Sequence, residues 1–82
     1  MEVFSVVTIK LFGSMRLKTG FKEMEAYASS VSDACGLLAR ATGHDKKEFK
    51  NCLFVINGKQ AKYSSSLNDG DELIFMSPSG GG

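Results

Sequence analysis

From Val3 to Phe12 the chain alternates, with Val3, Ser5, Val7, Ile9 and Leu11 on one side and Phe4, Val6, Thr8, Lys10 and Phe12 on the other. A period of two with β-branched enrichment predicts a strand. Gly13-Ser14 opens a loop, and Lys18-Thr19-Gly20 has the composition of a turn. Lys22 to Ala28 alternates more weakly, with Met24, Ala26 and Ala28 on one side. It is expected to pair antiparallel with the first strand as a wide hairpin. The period then changes. Val31, Ala34, Cys35, Leu38 and Ala41 recur at helical spacing and form a stripe on one face. Ser30 reads as the N-cap of this helix, Asp33 favours its positive end, and Gly43 is the natural stop. Gly36 costs the helix up to about 1 kcal/mol against Ala, and a close approach to the sheet would explain it. His44 to Lys50 is a polar, basic connection with room for a helical turn, and His44 reads as an exposed loop residue.

Leu53-Phe54-Val55-Ile56 is a compact apolar strand, and the Asn57-Gly58 that follows is a strong hairpin signal. Lys59 to Tyr63 returns as a short charged strand suited to a sheet edge. Ser64-Ser65-Ser66 is loop, Leu67 plugs the core from below, and Asn68-Asp69-Gly70-Asp71 turns tightly into the last strand. Leu73 to Met76 is apolar on both faces and gains too much by burial to be mobile. Pro78-Ser79-Gly80-Gly81-Gly82 has little to bury and is expected to be a flexible tail. The expected division is a folded domain over 1–76 and a tail over 77–82.

The order β-β-α-β-β-β puts the two most apolar strands, first and last, at the centre of one sheet. The intervening chain supplies the long crossover that a parallel pair needs. The result is an α+β β-grasp, a ubiquitin-like roll: a mixed sheet of about five strands with one main helix on one face. That helix covers one side only. Leu73 and Phe75 oppose Ile74 and Met76, so one apolar doublet of the last strand is left toward solvent beside the root of the tail. Exposed patches of this kind mark docking sites. The alternation leaves open which doublet faces out.

Composition narrows the picture without changing it. Eighty-two residues, 43% apolar and 23% charged, make one soluble domain. The net charge of +1 gives no basic field for nucleic acid. The apolar opening is interrupted by Ser5, Thr8 and Lys10 and lacks the marks of a span or a leader, so a cytoplasmic location is the default expectation. Cys35 and Cys52 form no CxxC pair, and one histidine completes no ligand set with them. Two buried free thiols are the favoured reading, with a disulfide as the alternative. No metal is expected. Lys46, Lys47 and Lys50 read as a solvated face.

Leu67-Asn68-Asp69-Gly70-Asp71-Glu72-Leu73, followed by Phe75, Pro78 and the terminal Gly81-Gly82, resembles the small subunit of molybdopterin synthase. That family belongs to the ubiquitin-like MoaD/ThiS sulfur carriers. Phe12-Gly13-Ser14-Met15-Arg16 with Gly20 is similar to its first-loop pattern. Two features depart from the family: Ser77 and Ser79 stand where a proline and an apolar residue are usual, and Gly80 is an added glycine. Both make the tail more polar and looser.

The resemblance implies that Gly82, next to Gly81, is activated by a ubiquitin-activating-like enzyme using ATP. Sulfur then replaces AMP to leave a C-terminal thiocarboxylate, which the synthase large subunit uses to make the dithiolene of the molybdenum cofactor. The chain would bind no cofactor and act as a co-substrate, a monomer when free. Phe75, Met76, Pro78, Ser79 and Gly80 would meet the partner, and Arg16 would orient a partner carboxylate if it is more than a solvated loop residue. Side-chain-free glycines suit threading into a narrow channel. Three alternatives remain: a ubiquitin-like modifier conjugated through Gly82, a sulfur carrier for thiamine thiazole synthesis, and a plain interaction module with an inert tail. Taken alone, a glycine tail is more often a frayed terminus.

Overall fold

The computed structural model describes residues 5–77, so expectations for 1–4 and for Pro78, Ser79, Gly80, Gly81 and Gly82 lie outside the described residues. The elements run β1 (Val6–Phe12), α1 (Ser14–Thr19), β2 (Glu23–Tyr27), α2 (Val31–Thr42), α3 (Lys46–Lys50), β3 (Leu53–Ile56), β4 (Lys59–Ala61) and β5 (Glu72–Met76). They build one sheet in the order β2-β1-β5-β3-β4. β1 and β5 are its parallel centre, β2 pairs antiparallel with β1, and β3 pairs antiparallel with both β5 and β4. This is the β-grasp arrangement.

Val7, Ile9 and Leu11 of β1 and Leu73 and Phe75 of β5 point to the covered face. There they meet Val31, Ala34, Cys35 and Leu38 of α2 in one core. Ala41, the fifth member of the helical stripe, is exposed in the last turn of α2. Ser30 caps α2: its hydroxyl accepts the Asp33 N–H (3.1 Å), while the Asp33 carboxylate accepts the Ser29 N–H (3.2 Å) and hydroxyl (2.6 Å). Gly43, at φ 77°, ends the helix in the left-handed conformation. Gly36 makes no close approach to the sheet, since a Cβ there would meet only the Lys46 ammonium, at 4.0 Å. It is half-buried on the side of α2 toward Lys46 and is simply tolerated.

Three parts of the chain differ from expectation. Ser14–Thr19, read as loop, is a short helix that buries Met15. The helical turn allowed for after Gly43 is α3; the unexpected feature is that it buries Phe49 completely, edge-on to Phe75 with ring centroids 6.1 Å apart. β4 stops at Ala61, where the Lys62 N–H turns to the Ser65 hydroxyl. Tyr63 instead lies tilted against Phe54, with the Lys46 and Lys50 ammonium groups 5.9 and 5.1 Å from its ring centre. Those two lysines are thus partly engaged rather than merely solvated.

The Asn68–Asp71 turn ties the start of β5 to its neighbours. Asp69 accepts the Val6 N–H (2.8 Å), and Asp71 accepts the Asn68 N–H (2.8 Å) and the Asn57 side-chain amide (2.8 Å). The Asn57 side-chain oxygen accepts the Glu72 N–H (2.9 Å). Asn57 (φ 50°) and Gly58 (φ 84°) both take positive φ, as the hairpin signal requires. The acidic turn that carries the sequence resemblance is therefore a fastening, placed at the end of β5 opposite the tail.

Candidate functional site

β5 delivers the chain from this fastening to the root of the tail, and its alternation determines what lies beside that root. Phe75 is fully buried, packed edge-on against Phe54 with ring centroids 5.4 Å apart. It was expected to meet a partner; the structure places it in the core, because its side of β5 is the side α2 and α3 cover. Met76 points the other way and is 40% exposed.

Met76 sits opposite Phe12 of β1 and opposite Leu53 of β3. Residues directly opposed across neighbouring strands share a face. Phe12 (40% exposed), Met76 and Leu53 (45%) therefore form an apolar row across the three central strands. The next row, Lys10, Ile74 and Val55, is half-buried. Lys10 bonds Glu72 at 3.0 Å, and that carboxylate raises the Lys10 pKa. The open face thus grades from apolar beside the tail to charged at the far end. The outward doublet is Ile74 and Met76.

Beside the apolar row stands α1. Ser77, the residue after β5, accepts the Met15 N–H through its hydroxyl (3.2 Å) and shares a hydrogen bond with the Ser14 hydroxyl (2.7 Å). The sequence pattern points to Ser77 as loosening the tail; its side chain is instead tied to the domain. Arg16 is exposed on α1, one residue beyond this contact, and its guanidinium bonds no side chain among the described residues. Leu17, which no periodicity marked, is 86% exposed on the same helix. The structure therefore gathers Met76, Arg16 and Ser77 at one end of the sheet, with Phe12 and Leu53 added, and sends Phe75 inward.

α1 is itself held by α3. Lys18 bonds Glu48 at 2.6 Å, and His44 bridges the Glu48 carboxylate and the Lys18 carbonyl, at 3.2 Å each. His44 is therefore half-buried rather than a free loop residue. The Lys18 ammonium holds the Glu48 carboxyl below its usual range. Both cysteines are free and buried; burial pushes the Cys35 thiol up to about 12 and raises that of Cys52. Among the described residues no group of three His, Cys, Asp or Glu could hold a metal. None of their helices is long and apolar enough to cross a membrane.

A sequence model of the ThiS family matches residues 9–82, nearly the whole chain. The chain belongs to the ThiS family. As a ThiS-family protein it is a ubiquitin-like sulfur carrier of the MoaD/ThiS kind. No curated protein matches it significantly. Among solved structures it is similar to small archaeal modifier protein 1 of Methanosarcina acetivorans, at 22% identity and TM-score 0.79 over 99% of this chain and 100% of that one. A proposed molybdopterin converting factor, subunit 1, from Pyrococcus furiosus is similar at 21% and 0.75, over 90% and 98%. Urm1 of Trypanosoma brucei is similar at 18% and 0.69, over the full length of both. These likenesses establish the ubiquitin-like β-grasp fold.

Proposed function

We propose that this ThiS-family chain carries sulfur on Gly82 for molybdopterin synthesis, as the small subunit of the synthase. An activating enzyme joins the Gly82 carboxylate to AMP and releases pyrophosphate from ATP. A sulfur nucleophile then displaces AMP and leaves a thiocarboxylate for the large subunit to use. The chain supplies no acid, base or metal, and binds no cofactor; it is the co-substrate that other proteins grip. Its place of work is the cytoplasm.

The observation that carries this reading is the exposed row of Phe12, Met76 and Leu53 at the end of the strand leading to the tail. Ordering five tail residues in a partner's channel costs on the order of 5–10 kcal/mol. Backbone hydrogen bonds return only about 1 kcal/mol each. Burying a few hundred Å² of apolar surface, at roughly 25 cal/mol per Å², closes that gap. The row offers such surface within reach of the tail.

A second reading is a protein modifier joined to target lysines through Gly82, favoured by the likeness to small archaeal modifier protein 1 and to Urm1. Intact mass after incubation with ATP, a sulfur donor and the activating enzyme separates the two. Replacement of one carboxyl oxygen by sulfur supports the carrier, whereas branched conjugates with lysine-containing proteins support the modifier. Deleting Gly82 should abolish either product and leave the melting temperature unchanged. An unmodified mass under conditions that charge another carrier would overturn both.

A further inference from the structure

The contact between Ser77 and the start of α1 has no role in the core and none in the sheet ladder. α1 begins at Ser14 after Gly13, and no local side chain caps it. Its early N–H groups are the kind that need an outside acceptor. Ser77 supplies one from 62 positions downstream, accepting the Met15 N–H at 3.2 Å while its oxygen also meets the Ser14 hydroxyl at 2.7 Å. The approach is tight, and the positive φ of residue 13 favours glycine there. At φ +70°, a Cβ on Gly13 would lie 3.3 Å from the Ser77 hydroxyl and 3.5 Å from its Cβ. α1 is in turn fastened to α3 through Lys18, Glu48 and His44. Ser77 is thereby linked to the body of the domain on the side of the sheet's end where Arg16 and Leu17 are exposed.

We infer that Ser77, held by Ser14 and the Met15 N–H, is a positioning residue that fixes where the carboxyl-terminal segment leaves the domain and so sets its reach into the activating enzyme. The inference rests on the carrier reading above and adds a geometric requirement to it. With Ser77 fixed, the five residues after it span at most about 17 Å when fully extended. The partner's adenylating centre must therefore lie within that distance of Ser77 when the apolar row is docked. A Ser77 left loose adds one more residue to be ordered on binding, a loss of roughly five- to thirty-fold in affinity. The effect belongs to binding, because Ser77 touches no reacting atom.

The test is ATP–pyrophosphate exchange by the activating enzyme at varied concentrations of the full chain, for wild type, Ser77→Ala, Ser77→Thr and Ser14→Ala. Ser77→Ala should raise KM about five-fold or more and leave kcat within two-fold of wild type. Ser77→Thr, which keeps the hydroxyl, should restore KM, and Ser14→Ala should fall between. Amide exchange at Met15 should quicken in Ser77→Ala and not in Ser77→Thr. A wild-type KM in Ser77→Ala, or no rescue by threonine, overturns the inference. Should Ser77→Ala fail to fold, Ser14→Ala and Ser77→Thr decide by the same KM. A wild-type chain that supports no exchange overturns the carrier reading instead, and the fastening then stands or falls on Met15 exchange alone.

Discussion

Asp33 shows how a single residue fixes the start of α2. The Ser29 hydroxyl and then the Ser29 N–H, both donating to its carboxylate, hold its pKa below the usual range. A depressed carboxylate stabilises the fold above its unfolded pKa, and that contribution is lost as pH falls through the folded value. Thermal melts from neutral pH down to pH 2 should therefore show an acid decline that Asp33→Asn flattens; identical acid limbs would remove the cap from the account. Ser30→Ala should cost about 1 kcal/mol at neutral pH. The cysteines give a second residue-scale prediction. With the Cys35 thiol pushed up to about 12 by burial, and Cys52 raised with its thiol donating to the Glu48 carbonyl at 3.4 Å, neither is a thiolate near neutrality. Iodoacetamide at pH 8 should leave the folded protein's mass unchanged and add two adducts in denaturant. Rapid native alkylation of Cys35 would show that the helix–sheet interface opens.

Among the elements, β5 divides most sharply. Phe75→Ala should destabilise by about 3–5 kcal/mol, because Phe49 and Phe54 pack on the ring and would line the cavity. Met76→Ala, one residue on, should stay within about 0.5 kcal/mol, as a half-open surface site does; equal losses in chemical denaturation would contradict the assigned faces. This division was only half legible in the sequence. β1, α2, β3 and β5 declare themselves through period and caps, because local pattern and tertiary burial agree there. Both doublets of β5 are apolar, however, so the pattern holds nothing to say which is covered; α2 and α3 decide it from the other side. α1 was invisible for a different reason. It has six residues and one buried side chain, and the hydroxyl that satisfies its Met15 N–H is Ser77, far away in sequence. Phe49 was lost among lysines, a lone apolar residue in a stretch too short to show a stripe. Phe12 and Leu53 are readable in the sequence as apolar and become an exposed row only through the strand register that sets them beside Met76.

At the scale of the molecule, the two ends of β5 do different work. One end is fastened by Asn57, Asp69 and Asp71; the other carries the apolar row and Ser77. Stability and partner binding should therefore separate by position along the strand. Asn57→Gly keeps the positive φ that the turn needs while removing the amide bonds to Asp71 and to the Glu72 N–H. It should cost about 0.5–1.5 kcal/mol, since the lost hydrogen bonds are exposed and water takes the place of the amide. A loss of that kind lowers the melting temperature by about 4–8 °C per kcal/mol in a domain of this size. The KM of the activating enzyme for the folded chain should not move. Leu53→Glu is the converse: it puts a charge into an exposed row and leaves the melting temperature within a few degrees. Placed within a desolvated interface, that charge should weaken partner binding by about ten-fold or more. Measuring both variants by melting and by exchange kinetics gives four numbers with a crossed pattern. If Leu53→Glu binds as wild type does, the partner grips another surface, and the exposed residues of α1, Arg16 and Leu17, become the next place to look.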